Sequence, residues 1–353
     1  MKISLILADG AIFQGESFGF EQPVSGEIVF NTAMSGYPEL LTDPSGAGQL
    51  LTLTYPLIGN YGVLPTDKDE FGLSINTQSD RIHAKALIVS DYSDYYSHWN
   101  AVESLDEWLK REKVIGMTGV DTRELTRHIR LHGTMEAKIV FPEQQMPEPF
   151  SSYNIVKEVS CKEPVFYQTD RQKRVVLVDC GMKTGILRSL LKEGLSVIRV
   201  PWDYDYSELD LNGVVISNGP GNPSMCDSTV KILQKVMKRG HVPVLGIDLG
   251  CLILGLAAGM DTYKLKFGHH TSNQPVRLEG TERCFITTQN HNYAIREDSL
   301  ADGWIISMRN LNDCSIEGIA HIEKPWSGTM FHSESDVIPT DTAFIYSDFV
   351  SKL

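Results

Sequence analysis

Three histidine-bearing segments and two glycine-rich turns hold most of the residues that could move protons or hold a reacting carbonyl. In Met330-Phe-His-Ser-Glu-Ser335, His332 and Glu334 stand two apart. On extended chain that spacing puts both side chains on one face, as a base and its orienting acid require. Taken singly, the pair reads as a surface histidine beside a solvated acid. Gln289-Asn-His-Asn-Tyr-Ala-Ile295 places His291 after a strand-like run, and Lys266-Phe-Gly-His-His270 adds His269 and His270. Adjacent histidines on extended chain point to opposite faces, so they make no metal site by themselves, and none is expected. Ser217-Asn-Gly-Pro-Gly-Asn-Pro223 ends an apolar run in closely spaced glycines. These let a ligand approach the backbone and leave N–H groups free for a developing oxyanion; alone, the turn reads as a tight connection from strand to helix.

The sharpest corner lies in Val244-Leu-Gly-Ile-Asp-Leu-Gly-Cys-Leu-Ile-Leu-Gly-Leu-Ala-Ala-Gly259, a strand running into a helix through Gly246 and Gly250. Such a corner bends the chain, exposes its central side chain and frees backbone N–H groups at the helix start, which is how many hydrolases display a nucleophile. The central residue is Asp248, where Ser or Cys would serve. A second reading makes Asp248 the helix N-cap, a position that favours Asp and its negative charge.

The elements that must position these residues fall into two patterns. From Lys173 onward, RVVLVDCG, LSVIRVP, GVVISNGPG and VPVLGID read as strands, alternating with the helices TGILRSLLKEG, STVKILQKVMKRG and LGCLILGLAAG. That alternation predicts an α/β domain with a parallel sheet covered on both faces. Ligands of such sheets sit outside the carboxyl ends of the strands, so the turns at 217–223 and 246–250 belong on one rim. The first portion is β-rich, with a hairpin signal at Asp9-Gly10 and short apolar strands between Gly and Pro turns. Ser104 caps a predicted helix with acids first and bases last, and Asp121-Thr-Arg-Glu-Leu-Thr-Arg-His-Ile-Arg130, with apolar residues three to four apart, reads as a second. The expected organisation is a mixed domain over 1–141, a surface linker over 142–172, rich in Pro, Glu, Gln and Ser at its start, and an α/β domain over 173–353.

A length of 353 residues suits two domains, and 42% hydrophobic with 22% charged residues suits a soluble globular protein. The formal charge of −13 opposes a phosphate backbone, so no nucleic-acid partner is expected. The most apolar window, Leu249 to Met260, is too short to span a bilayer. Six cysteines without a CxxC pair read as reduced thiols, which favours a cytoplasmic protein.

Taken together, the glycine turn, the elbow, KFGHH, QNH and His-x-Glu resemble, in that order, the class I glutamine amidotransferase domain. The segments GEIVFNTAMSGYPELLTDPS, LTLTYPLIGNYGV and DTRELTR extend the likeness to nearly the whole chain, which is similar to the small subunits of carbamoyl phosphate synthetases. The resemblance implies a flavodoxin-like C-terminal domain behind a smaller β-rich mixed domain. It also implies a heterodimer with a large subunit that uses ATP and magnesium, this chain holding no cofactor, in arginine or pyrimidine biosynthesis. The family role is hydrolysis of glutamine and delivery of ammonia to that partner. The site residues implied are Asp248 at the nucleophile position, His332 as base and Glu334 as its orienter. For glutamine they are Ser45, the backbones of Gly219, Gly221 and Leu249, and Leu252, Asn290, Asn292 and Tyr293.

The elbow departs from the family's GICLGHQ at three positions: Asp248 for Cys, Cys251 for His and Leu252 for Gln. A thiolate attacks an amide carbonyl well, whereas a carboxylate is a weak nucleophile whose product is a mixed anhydride, so glutaminase activity is expected to be impaired or lost. Leu252 cannot hydrogen-bond a polar substrate, and a buried polar group left unpaired costs about 1–3 kcal/mol. Two rescues meet obstacles. Cys251 turns away from the elbow direction, and a helix start weakens Asp248 as a base. Asp248 would instead mimic a thiolate facing His332 and hold the domain in shape. The alternatives are an active subunit with unusual elbow chemistry and a regulatory or interaction protein on the same scaffold.

Overall fold

The computed structural model describes residues 1–142, 144–148, 153–334 and 341–353. The chain folds as two compact units, Met1–Ser152 and Tyr153–Leu353.

The first unit is built on a closed barrel. Its strands are β1 (Lys2–Leu7), β2 (Ile12–Gly19), β3 (Val24–Asn31), β4 (Gln49–Leu53), β6 (Ala86–Ile88), β8 (Ile115–Thr118) and β9 (Met135–Val140), in the order β1-β2-β8-β6-β4-β3-β9. Short strands β5 (Leu57–Ile58) and β7 (Asp91–Tyr92) pair beside it. Alternate residues of β1 are buried, as one inward face requires, and Gly10 takes the positive φ of the expected hairpin. The helices are α1 (Tyr37–Thr42), α2 (Leu105–Glu112) and α3 (Thr122–His132). Helix α2 starts in a capping box, Ser104 and Glu107 each accepting the other's backbone N–H. The Asp121 side chain caps α3 through the Glu124 N–H.

The second unit carries a ten-stranded sheet, β10-β12-β11-β13-β14-β19-β18-β17-β15-β16. Its strands are β10 (Val165–Tyr167), β11 (Arg174–Asp179), β12 (Ser196–Pro201), β13 (Gly213–Ile216), β14 (Val244–Ile247), β15 (Thr262–Leu278), β16 (Cys284–Ile295), β17 (Trp304–Asn310), β18 (Ile316–His321) and β19 (Trp326–Thr329). Its helices are α4 (Val156–Val159), α5 (Thr184–Lys192), α6 (Asp227–Met237), α7 (Leu249–Ala257) and α8 (Phe344–Ser351). The parallel part runs β12-β11-β13-β14-β19, the doubly wound order expected of alternating strands and helices. Strands β15 to β18 extend it as an antiparallel wing. The apolar residues of α6, α7 and the parallel strands form one core, including Leu252 and Cys251.

The segment expected to be a linker over 142–172 is, from Tyr153 on, part of this second unit: β10 pairs antiparallel with β12 at the sheet edge. Its three residues are too few to show a period, and Val165 and Phe166 remain exposed, so the sequence carried no strand signal there. No helix among the described residues is long and apolar enough to cross a membrane. All six cysteines are free thiols.

Candidate active site

Strand β14 ends at Ile247 and α7 begins at Leu249, leaving Asp248 alone to make the turn. It does so with φ +54 and ψ −112, a left-handed backbone that is strained for a residue with a Cβ. The turn is held by main-chain bonds: Asp248 N–H donates to Thr329 O at 2.7 Å, and Cys251 N–H donates to Asp248 O at 2.9 Å. The flanking glycines are needed for space. A Cβ on Gly246 would lie 2.4 Å from Gly250 O, and one on Gly250 would lie 2.1 Å from Ile216 O. The elbow is therefore fixed by backbone packing, whatever side chain it carries.

That side chain makes no capping hydrogen bond to the helix. The Asp248 carboxylate, buried, accepts a long 3.5 Å hydrogen bond from Gly219 N–H in the neighbouring turn. Gly219 tolerates no side chain, since a Cβ would sit 2.0 Å from Cys180 O and 2.9 Å from Leu249 Cδ2. Gly221 takes φ +89, a conformation suited to glycine. The two glycine turns thus meet on one rim through a carboxylate that holds a backbone N–H.

Strand β19 lies parallel to β14, with Thr329 opposite Ile247, so the chain just beyond β19 emerges beside the elbow. There His332 is fixed by its N–H donating to Thr288 O of β16 at 2.9 Å. Its Nδ1 lies 3.0 Å from Glu334 Oε1, and a carboxylate only accepts, so Nδ1 carries the proton. Nε2 is then the free lone pair. It is buried and has no hydrogen-bond partner among the described residues. This is the arrangement of a base held in one tautomer by an acid.

Burial works against charge on Glu334, but the nearby Lys183 ammonium and the His332 contact outweigh it and hold its pKa down at about 2. Lys183 Nζ stands 3.9 Å from Glu334 Oε1, both side chains being almost fully buried. The sequence reading missed Lys183. The signal was a lone lysine in the tight turn GMKTG that leads into α5, where no exposed face was expected.

The remaining expected residues separate into groups. The Cys251 thiol points at the sheet: a Cβ placed on Gly328 of β19 would lie 2.8 Å from its Sγ. Burial pushes that thiol well above its usual range, with Glu317 and Asp248 adding to the effect. Leu252 is buried in the core formed with β13, β14 and α6. Asn290 and Asn292 each hold one nitrogen of His270, at 2.7 and 2.9 Å. Asn292 keeps ordinary strand backbone, so it occupies its place without left-handed strain. The Tyr293 carbonyl accepts from His291 Nδ1 at 2.9 Å. Ser45 belongs to the first unit, buried in a short 3-10 turn where its N–H donates to the Asp43 carboxylate.

A strained elbow at the end of a central parallel strand, beside a buried histidine and its acid, is the site architecture of class I glutamine amidotransferases. Residues 176–352 match the family model described as glutamine amidotransferase class-I, and residues 5–139 match that of the carbamoyl-phosphate synthase small chain, CPSase domain. The chain belongs to the carbamoyl-phosphate synthase small chain family. It is 41% identical over 361 residues to the carbamoyl phosphate synthase arginine-specific small chain of Aspergillus clavatus, covering 100% of this chain and 79% of that protein. It is 45% identical to the multifunctional protein CAD of Squalus acanthias and 42% identical to the mitochondrial carbamoyl-phosphate synthase [ammonia] of Homo sapiens, covering 98% of this chain in both cases. It spans only 16% and 23% of the length of those two proteins.

Proposed function

We propose that this chain acts as the amidotransferase-type subunit of a carbamoyl phosphate synthetase whose own glutamine hydrolysis is lost, so that nitrogen enters as ammonia. The observation that carries the reading is Asp248 at the elbow. Hydrolysis by this site architecture needs a thiolate that forms a thioester, which the imidazolium of His332 would assist by protonating the departing ammonia. A carboxylate there offers no workable acyl intermediate. It also takes the Gly219 N–H, one of the groups the resemblance gives to glutamine. Leu252 presents hydrocarbon where the family has an amide. Cys251 cannot substitute, its thiol being held protonated against Gly328.

His332 and Glu334 keep their geometry without a nucleophile to activate. They and Lys183 hold the rim in its assembled shape, which suits a subunit retained for docking on its partner. The partner would be a large, ATP- and magnesium-using subunit in the cytoplasm, serving arginine or pyrimidine synthesis. One relative's name already pairs this scaffold with ammonia.

The test is to assemble the chain with a large subunit and supply glutamine or ammonium as the only nitrogen source. Carbamoyl phosphate is expected from ammonium alone, with no glutamate released above background. Glutamine-dependent synthesis at a rate comparable to that with ammonium overturns the reading.

A further inference from the structure

His269 of β15, His291 of β16 and Glu317 of β18 meet inside the antiparallel wing. All three are buried, and one ligand atom from each lies within 4.8 Å of the others. His269 Nδ1 is 3.2 Å from Glu317 Oε1, and His291 Nε2 is 3.8 Å from Glu317 Oε2.

The outer side of each ring is committed. His269 Nε2 lies 2.9 Å from the Asp313 carboxylate, and His291 Nδ1 lies 2.9 Å from the Tyr293 carbonyl. Both partners only accept, so both outer nitrogens carry hydrogen, and in the neutral rings Nδ1 of His269 and Nε2 of His291 are lone pairs. They point at more acceptors. Besides Glu317, His291 Nε2 faces Gln289 Oε1 at 3.3 Å. That amide cannot flip without loss, because its nitrogen donates to Thr287 Oγ1, whose own hydrogen is given to Gln274 O. His269 Nδ1 and Glu317 Oε2 have no hydrogen-bond partner among the described residues.

The atoms that face one another here, His269 Nδ1, His291 Nε2, Gln289 Oε1 and Glu317 Oε2, are all acceptors when the rings are neutral, and a buried set of that kind calls for a cation. One proton shared between His269 and Glu317 answers one contact and leaves His291 facing oxygen. Two protons would place two imidazolium charges side by side away from water. A metal ion satisfies all three groups at once. Metal-ligating histidines pass their other N–H to a carboxylate or a carbonyl, as these do. The 3.2 Å separation of His269 Nδ1 and Glu317 Oε1 is close to the edge of roughly 3.3 Å that bonds of about 2.05 Å make at a tetrahedral centre.

We propose that His269 Nδ1, His291 Nε2 and the Glu317 carboxylate bind one divalent transition-metal ion of the zinc class. Asn310 Nδ2 donates to Glu317 Oε1 at 3.1 Å and orients the carboxylate. The ion ties together three strands where the β15–β16 register shifts on both sides of His269. Three residues from His291, Thr288 anchors His332, so the ion also steadies the strand on which the base rests.

The experiment uses the full chain without a histidine tag, stripped by chelator and titrated with Co²⁺, then with Zn²⁺ as competitor. Expected are one equivalent of Co²⁺, visible bands of a low-coordinate nitrogen–oxygen site, displacement by Zn²⁺ and a higher melting temperature. Glu317→Gln should abolish uptake. Asp313→Asn, outside the ligand set, should weaken it about 10- to 100-fold, and it decides the matter if Glu317→Gln does not fold. Absence of stoichiometric uptake by folded protein, or uptake unchanged by the variants that fold, overturns the proposal.

Discussion

Two corners stand at the carboxyl ends of neighbouring parallel strands, one after β14 and one after β19, and they have kept different things. The elbow after β14 keeps its backbone: the positive φ at 248, the glycines at 246 and 250 and the bond to Thr329 O. Its side chains, Asp248 and Leu252, depart from the pattern that the sequence resemblance implies. The corner after β19 keeps its side chains as well, with His332 set by Glu334 and Glu334 charged beside Lys183. The difference shows that shape and chemistry are separable constraints on one rim. Main-chain bonds and steric contacts hold the elbow whatever residue occupies 248, so the nucleophile can be exchanged without disturbing the fold. The histidine corner is held by its side chains as well as by the main-chain bond to Thr288 O, so altering those side chains disturbs both.

The sharpest way to break this comparison is to repair the elbow. Asp248→Cys combined with Leu252→Gln should raise glutamate release from glutamine at least about 100-fold over the parent, because the base is already in place. In that repaired background His332→Asn should lower the rate about 10²- to 10⁴-fold, whereas in the parent it should leave the background rate of glutamate release where it was. Failure of the double variant to gain activity would mean that the two corners no longer share a working geometry. A second test concerns the side-chain-held corner. Glu334 titrates at about 2 when folded against an ordinary 4.5, a difference of about 3 kcal/mol. Because the folded pKa is depressed, this stability is present above about pH 4.5 and is lost as the pH falls toward 2. Urea unfolding should therefore find Glu334→Gln less stable by about that amount at pH 6, with the gap closing in acid. The last test bears on the backbone-held corner. Gly250→Ala would set a Cβ 2.1 Å from the main-chain oxygen of Ile216 and should cost about 3 kcal/mol or more, by the same amount in the parent and in the repaired elbow.

The parallel units and the rim were legible because strand and helix periods alternate cleanly and the glycine turns mark the strand ends. The helix start at Ser104 was legible because capping is a local matter, and the helix after Asp121 because its apolar residues recur every three to four positions. Barrel closure in the first unit was not, since the pairing of β1 with β9 joins segments more than a hundred residues apart with no local signature. At the site, the spacing of His332 and Glu334 carried their pairing, while the capping bond offered for Asp248 is absent and its carboxylate accepts from Gly219 N–H of another turn instead. Glu317 was hidden in the apolar run Ser315-Ile-Glu-Gly-Ile, and its partners come from two other strands.

The two ends of the large sheet are finished in different ways, with a consequence for how the protein behaves in a crowded solution. One edge is β10, only three residues long, with Val165 and Phe166 exposed. The other is β16, twelve residues long, whose outer side is engaged where Thr288 O accepts from His332 N–H and Ile286 N–H donates to the Asp341 carboxylate. An open strand of that length is a template for another chain, and short or occupied edges are how sheets avoid aggregation. His332 and Asp341 thus occupy two points along this edge, so the residue at the base position also blunts a sheet edge, a task that has nothing to do with glutamine.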